Sequence, residues 1–112
     1  MEESSQNAMD SCVLEEGMIT SNEPGVYVEG EFGIRHENEM VVVKGNKNFY
    51  GQFMHFETLT FVPFDRKGID KSLLSEDELA WLNDYHASVY EKISPFLTNE
   101  EAEWLKEACR PL

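Results

Sequence analysis

The sequence predicts an α+β fold, in which a curved, mainly antiparallel sheet over residues 18–62 is followed by two C-terminal helices. Two observations predict this class. In the first half, runs of β-branched and aromatic residues are separated by glycine and Pro-Gly turns, which is typical of short strands. In the second half, two Ser/Thr-x-x-Glu sequences precede apolar residues spaced three and four apart, which is typical of capped amphipathic helices.

The sheet begins after an irregular N-terminal segment. Residues 1–16 show no helical or strand periodicity and are predicted to form a loop or a disordered start. Short strands are expected over residues 18–22 and 26–29. The Pro24-Gly25 turn between them is expected to reverse the chain, since proline presets the turn and glycine tolerates its backbone angles.

The longest strand is predicted over residues 32–43, with Arg35 and Glu37 on one face because side chains alternate along a strand. A turn over residues 45–48 and a last strand over residues 53–62 complete the predicted sheet. Apolar side chains of the last strand are expected to lie in the core, namely Phe53, Phe56, Leu59, Phe61 and Val62.

Two capping boxes mark the predicted helices. Ser75-Glu76-Asp77-Glu78 begins the first helix, which Ser94-Pro95 ends. Thr98-Asn99-Glu100-Glu101 begins a shorter helix that Arg110-Pro111 closes. The spacing of the first helix predicts that its buried stripe consists of Leu79, Leu82, Tyr85, His86 and Val89.

Composition narrows the classes of partner and compartment. The 112-residue chain carries nine Lys and Arg against twenty-two Asp and Glu, a net charge of −13, which argues against nucleic-acid binding. It contains neither an apolar run of membrane-spanning length nor the pattern of a signal peptide, so no membrane association and a cytoplasmic location are expected. In that compartment Cys12 and Cys109 are expected to be free thiols.

The candidate chemistry lies in two glutamates beside backbone turns. Glu23 directly precedes Pro24-Gly25, and Glu37 follows Gly33-Ile34-Arg35-His36. A hairpin with water-facing acids would account for this pair. A metal site would account for it too, because two convergent carboxylates repel each other unless a cation or a proton lies between them. Spacing alone leaves both interpretations open.

The local sequences resemble a known family. Residues 17–27, with Ser21-Asn22-Glu23-Pro24-Gly25 at their centre, and residues 32–38 resemble the end of the catalytic domain of Xaa-Pro aminopeptidases, of the pita-bread metallopeptidase superfamily. Phe56-Glu57-Thr58-Leu59-Thr60-Phe61-Val62-Pro63 and Trp81-Leu82-Asn83-Asp84-Tyr85-His86 resemble the C-terminal extension of the three-domain type. The resemblance implies a partial pita-bread fold, with residues 17–63 from the catalytic domain and 64–112 from the extension.

The same resemblance implies a dinuclear metallopeptidase site whose two divalent ions, with manganese expected, are held by two Asp, one His and two Glu. Glu23 and Glu37 would be the two glutamate ligands. Glu23 would also carry protons during catalysis. Arg35 is implied as the second catalytic residue, orienting the carboxylates, and Tyr27 is expected to do likewise.

The Asp and His ligands of the family have no counterpart here, so the chain is expected to be part of a larger enzyme and inactive alone. The expected partners of the complete enzyme are peptides with proline at the second position, the N-terminal part of the enzyme, and a second copy in a homodimer. The alternative is a non-catalytic interaction or dimerisation module that binds no metal. His36, His55 and His86 are expected to be structural.

Overall fold

The computed structural model describes residues 12–112, so most of the loop predicted over residues 1–16 lies outside the described residues. The chain divides into two compact units, one ending at Leu59 and the other comprising Thr60–Leu112. All strands belong to the first unit and both α-helices belong to the second. The predicted α+β class, with an antiparallel sheet region followed by two helices, is confirmed.

Every strand pair in the first unit is antiparallel, and the pairs form two separate sheets. The three-stranded sheet has the order β1-β4-β5, and the two-stranded sheet joins β2 to β3. The bounds are β1 Ile19–Asn22, β2 Gly25–Val28, β3 Phe32–Arg35, β4 Asn38–Asn48 and β5 Gly51–Thr58.

The single strand predicted over residues 32–43 is wrong, because the chain leaves one sheet and enters the other at His36 and Glu37. Residues before the break pair with β2, and residues after it pair with β1 and β5. The His36 backbone N–H donates to the Pro24 carbonyl at 3.1 Å, which extends the β2–β3 register by one residue beyond the last strand pair, Gly25 with Arg35. The alternation of side chains along residues 32–43 does not reveal that the pairing strand changes from β2 to β1 and β5.

The turn predicted over residues 45–48 is also misplaced. Those residues continue β4, and the hairpin reverses at Phe49 and Tyr50. The Asn48 side-chain Oδ1 accepts from the Tyr50 N–H at 2.9 Å, and Gly51 has φ of +134°, which a residue with a Cβ adopts only with strain. The β4–β5 register shifts between Lys44 and Lys47, because β4 has one more residue in this interval than the opposite part of β5.

Strand β5 ends four residues earlier than predicted, at Thr58 rather than residue 62. Side chains predicted to form a core with this strand are largely exposed: Phe53 is 52% accessible, Phe56 45% and Val62 62%. In the first unit the only buried apolar side chain among the described residues is Val42. The sheets of this unit therefore leave much apolar surface uncovered within the described chain.

Both helices agree with the sequence prediction. Helix α1 spans Glu76–Ile93 and helix α2 spans Asn99–Ala108. Each begins with a complete capping box, in which the cap hydroxyl accepts from a backbone N–H and the glutamate accepts from the cap residue. Short 3-10 turns at Arg66–Gly68 and Lys71–Leu73 lead into α1.

The core of the chain lies in this helical unit. Val89 is completely buried, and the predicted stripe of α1 faces the core except that Leu79 is only half-buried. The Tyr85 hydroxyl donates to the Val62 carbonyl at 2.8 Å, which fixes the segment preceding the 3-10 turns. The core is completed by α2, and its buried members are Leu82, Tyr85, Val89, Leu105 and Cys109.

The two cysteines are free, as predicted, with Cys12 exposed and Cys109 buried. Burial raises the pKa of the Cys109 thiol, which makes this side chain a small apolar core residue. None of the helices in residues 12–112 combines the length and apolar character that a bilayer crossing needs.

Candidate metal centre

The two sheets are joined by two short connections, and each connection holds one of the candidate glutamates. Glu23 lies between β1 and β2, and Glu37 lies between β3 and β4. On one side of the connections Asn22 pairs with Asn38, and on the other side Gly25 pairs with Arg35. Because the flanking residues are paired across the strands, the two connections run side by side and bring the glutamates together.

Arg35 joins the two carboxylates. Its Nη1 lies 3.1 Å from Glu23 Oε2, and its Nη2 lies 3.2 Å from Glu37 Oε2. The Ser21 hydroxyl donates to the other Glu23 oxygen, Oε1, at 2.7 Å. The pKa of Arg35 is raised, first by Glu37 and then by Tyr27 and Glu23. The guanidinium therefore offsets the repulsion between the carboxylates and fixes their orientation.

The Tyr27 ring lies across two glycines on the face that also bears Arg35. Tyr27 pairs with Gly33, and Gly25 pairs with Arg35, so the four residues share one face of the two-stranded sheet. A Cβ at Gly33 would lie 2.7 Å from Tyr27 Cδ1, and a Cβ at Gly25 would lie 2.7 Å from the Tyr27 hydroxyl oxygen. Glycine at both positions is what allows the ring to lie flat beside Arg35.

The site is open to solvent within this chain. About half of the Arg35 side chain is exposed, as are 46% of Glu23 and 39% of Glu37. Two adjacent carboxylates suit a hard divalent cation, and their oxygens retain lone pairs beyond those used by Arg35 and Ser21. Within residues 12–112, however, no group of three or more His, Cys, Asp or Glu side chains could hold a metal ion. The described residues thus fit part of a metal site.

The histidines are not drawn into this cluster. His55 Nε2 lies 3.8 Å from Glu57 on β5, and His86 belongs to α1 in the other unit. His36 is exposed in the connection beside Glu37. The structure thus brings together all three site residues predicted from the sequence, Glu23, Arg35 and Glu37. Sequence reasoning missed Ser21, for which a hydroxyl two residues before the glutamate was the available signal.

Two family models match successive parts of the chain. The model described as the C-terminal region of peptidase M24 matches residues 52–112, and that of metallopeptidase family M24 matches residues 2–44. The first match alone covers more than half of the chain. The chain belongs to the M24 metallopeptidase family. The match to the metallopeptidase family M24 model, over residues 2–44, includes Glu23, Arg35 and Glu37.

Curated relatives extend this M24 assignment. Human Xaa-Pro aminopeptidase 2 is 43% identical over 107 residues, covering 92% of this chain and 16% of the relative. The probable Xaa-Pro aminopeptidase P of Coprinopsis cinerea is 44% identical over 110 residues, covering 94% of this chain and 18% of the relative. The M24 chain described here therefore spans less than a fifth of the length of either relative.

A solved structure matches as well. The crystal structure of X-prolyl aminopeptidase from Caenorhabditis elegans, described as a cytosolic enzyme with a di-nuclear active site, gives a TM-score of 0.78 at 37% identity. The match covers 88% of this M24 chain and 17% of the nematode chain. The resemblance to Xaa-Pro aminopeptidases and the partial pita-bread fold predicted from the sequence are confirmed.

Proposed function

We propose that this chain supplies two of the five metal ligands of a dinuclear Xaa-Pro aminopeptidase, which removes the N-terminal residue of peptides with proline second. The single observation that carries the proposal is the Glu23–Arg35–Glu37 cluster, in which one guanidinium holds two carboxylates side by side. We further propose that residues 17–63 belong to the catalytic domain and residues 64–112 to a C-terminal extension.

In this proposal Glu23 and Glu37 are the two glutamate ligands. When bound, two divalent ions, with manganese expected, supply Lewis-acid polarisation of the peptide carbonyl and of a water molecule. Glu23 takes the proton of the attacking water and delivers it to the proline nitrogen as that nitrogen leaves. Arg35 keeps both carboxylates oriented through its paired donors, and Tyr27 limits the movement of Arg35.

The remaining ligands, two Asp and one His, would come from the N-terminal part of the enzyme. The complete enzyme is proposed to act on Xaa-Pro peptides in the cytoplasm as a homodimer. The cytosolic description of the Caenorhabditis elegans structure supports the compartment.

Calorimetric titration of the chain with manganese tests the proposed ligands. We expect weak binding, because two carboxylates displace too little of the hydration shell to hold a divalent ion tightly. The variant Glu23→Gln/Glu37→Gln should abolish that binding. The control Glu29→Gln/Glu31→Gln removes the same charge from exposed acids near the turn between β2 and β3 and should retain it.

Equal affinities in the two double variants would contradict the assignment of Glu23 and Glu37 as ligands. Tight binding that only Glu23→Gln/Glu37→Gln abolishes would mean that a complete site forms between copies of the chain. Cleavage assays on Xaa-Pro peptides would then be carried out on that assembly.

A second candidate function is a non-catalytic interaction or dimerisation module. The observation that favours it is the exposed apolar surface of the strands, where Val26 is 64% accessible and Ile34 59%. Exposed apolar patches promote association. Sedimentation velocity at several concentrations should show a concentration-dependent dimer that Val26→Asp weakens and Leu73→Asp, at an exposed site of the helical unit, does not. A monomer at every concentration would contradict this candidate.

A further inference from the structure

We propose that the helical unit binds a small organic oxyanion, a carboxylate or phosphate attached to a planar apolar group, in a cavity of about 720 Å³. All residues lining the cavity lie between Pro63 and Leu112, so it shares no residue with the Glu23 cluster. The proposal therefore stands apart from the aminopeptidase function. The lining residues that carry it are Pro63, Phe64, Arg66, Lys67, Trp104 and Arg110.

The side chains that line this cavity carry a net charge of +1, whereas the whole chain is strongly acidic. The whole chain has nine Lys and Arg and a net charge of −13, yet three of its basic side chains line this one cavity. Two acids also line it. Glu107 pairs with Arg110 at 2.9 Å, and Asp65 Oδ1 accepts from the Lys67 backbone N–H at 3.0 Å. Both acids thus already have partners in the structure.

Arg66 and Lys67 supply the charge for an anion. Within residues 12–112 neither side chain forms a salt bridge. Arg66 Nη2 donates to the Pro111 carbonyl at 3.0 Å, which holds the guanidinium at the cavity wall. The Arg66 Nε is buried without a hydrogen-bond partner. Because the Nε has no accessible surface, an oxyanion in the cavity would bind the terminal N–H groups of the guanidinium that the Pro111 carbonyl does not use, through charge-assisted hydrogen bonds.

The exposed ring of Trp104 indicates that the ligand has an apolar part. This side chain lies on α2, lines the cavity and is 67% exposed, beside Pro63 and Phe64. An exposed indole next to unpaired cations suits a planar group that stacks on the ring while its anion reaches Arg66. The ligand class therefore combines an oxyanion with a flat apolar moiety.

His86 provides an internal reporter of the anion. Its Nε2 accepts from the Phe64 N–H at 3.1 Å, so the neutral ring carries its proton on Nδ1, which is buried without a partner. Burial lowers the pKa of His86, and the charge of Arg66 lowers it further. An anion bound to Arg66 would offset that charge and raise the pKa of His86.

The test uses the full chain carrying Trp81→Phe, which leaves Trp104 as its single tryptophan. Phenyl phosphate and benzoate are titrated separately, with benzyl alcohol as the uncharged control. We expect a saturable change in Trp104 fluorescence with at least one anion and none with the alcohol. The His86 pKa, followed by NMR, should rise on saturation.

Arg66→Met should weaken binding at least about tenfold, as expected for the loss of a charge-assisted hydrogen bond. Lys67→Met should weaken it as well, and this exposed side chain can be removed without loss of packing. The control Lys106→Met removes the same charge from the outer face of α2, outside the cavity, and should bind as the parent does. Circular dichroism verifies that each variant is folded. If Arg66→Met unfolds, the affinity of Lys67→Met tests whether the basic side chains of the cavity bind the anion.

Binding of one anion alone would identify the ligand as a phosphate ester or a carboxylate, and either result supports the site. Three results would overturn it: no saturable change with either anion, equal weakening by Lys106→Met and Lys67→Met, or a His86 pKa that saturation leaves unmoved.

Discussion

At the scale of single residues, the three histidines differ in burial, although all were expected to be structural. His55 and His36 are exposed, whereas His86 has no accessible surface and accepts a hydrogen bond from the Phe64 N–H. The pKa of His86 is lowered by burial and by Arg66, so the folded chain holds the neutral ring. The unfolded chain binds the proton more readily, which links folding to pH.

Stability of the helical unit should therefore fall as the pH drops below about 6.5, the ordinary pKa of histidine, until the lowered folded-state pKa is reached. The slope cannot exceed about 1.4 kcal/mol per pH unit for one proton. His86→Gln, which can keep an acceptor for the Phe64 N–H, should flatten this part of the profile. Urea unfolding, followed by tryptophan fluorescence at several pH values, measures how the free energy of unfolding depends on pH.

His55→Gln is the matched control, since this exposed ring lies in the other unit and should leave the slope unchanged. The capping glutamates titrate in a separate window: hydrogen bonds from Ser75 and Thr98 lower the pKa of Glu78 and of Glu101. Their stabilisation is present above pH about 4.5 and is lost on further acidification. A parent profile that is flat immediately below pH 6.5 would contradict the role of His86.

At the scale of elements, the helices are fixed locally and the strands are not. Ser75 accepts from the Glu78 N–H, and Glu78 Oε2 accepts from the Ser75 N–H at 2.8 Å, all within four residues. The connections that hold Glu23 and Glu37 instead depend on pairing between β1 and β4 and between β2 and β3. A helix start is thus readable from adjacent residues, whereas the site needs contacts between distant ones.

Ser75→Ala should lower the free energy of unfolding of the helical unit by about 1 kcal/mol, because it removes the acceptor for an orphan N–H at the start of α1. Glu76→Gln is the control, since this residue lies in the first turn without a capping hydrogen bond in the structure. Thermal and urea unfolding measure both variants. Equal destabilisation by the two would mean that first-turn charge, rather than the cap, stabilises α1.

At the scale of the whole molecule, burial is distributed unequally between the two units. The helical unit has a core in which Val89 is fully buried and Leu105 is 3% exposed. Every residue of β2 and β3 is exposed. The unit that carries the candidate metal ligands is therefore the one with less apolar burial of its own, and its two-stranded sheet is expected to open readily.

Amide hydrogen exchange should resolve this difference. Amides of α1 around Leu82 and Val89 should exchange at least about a hundredfold more slowly than those of the β2–β3 ladder, because local opening costs least where few apolar contacts are broken. Amides in β4 around Val42 serve as an internal reference within the same sample. Comparable protection in β2–β3 and α1 would mean that the exposed sheet is covered in solution, as the association candidate requires.

The sequence by itself determined what is encoded between neighbouring residues. The capping boxes gave both helices, and their three- and four-residue spacing gave the buried stripe with Val89 and Tyr85. The motif around Asn22-Glu23-Pro24-Gly25 identified the family and the two glutamates, because those residues are contiguous. Each of these signals is local and needs no knowledge of which strand pairs with which.

Only the tertiary structure decided how the site is built. Alternation placed Arg35 and Glu37 on one face of a single strand, whereas the chain breaks between them and the arginine reaches both carboxylates across two connections. The packing of the Tyr27 ring against Gly25 and Gly33 follows from the β2–β3 register. Strand pairing joins residues far apart in sequence, and its register depends on partners that a local pattern does not contain.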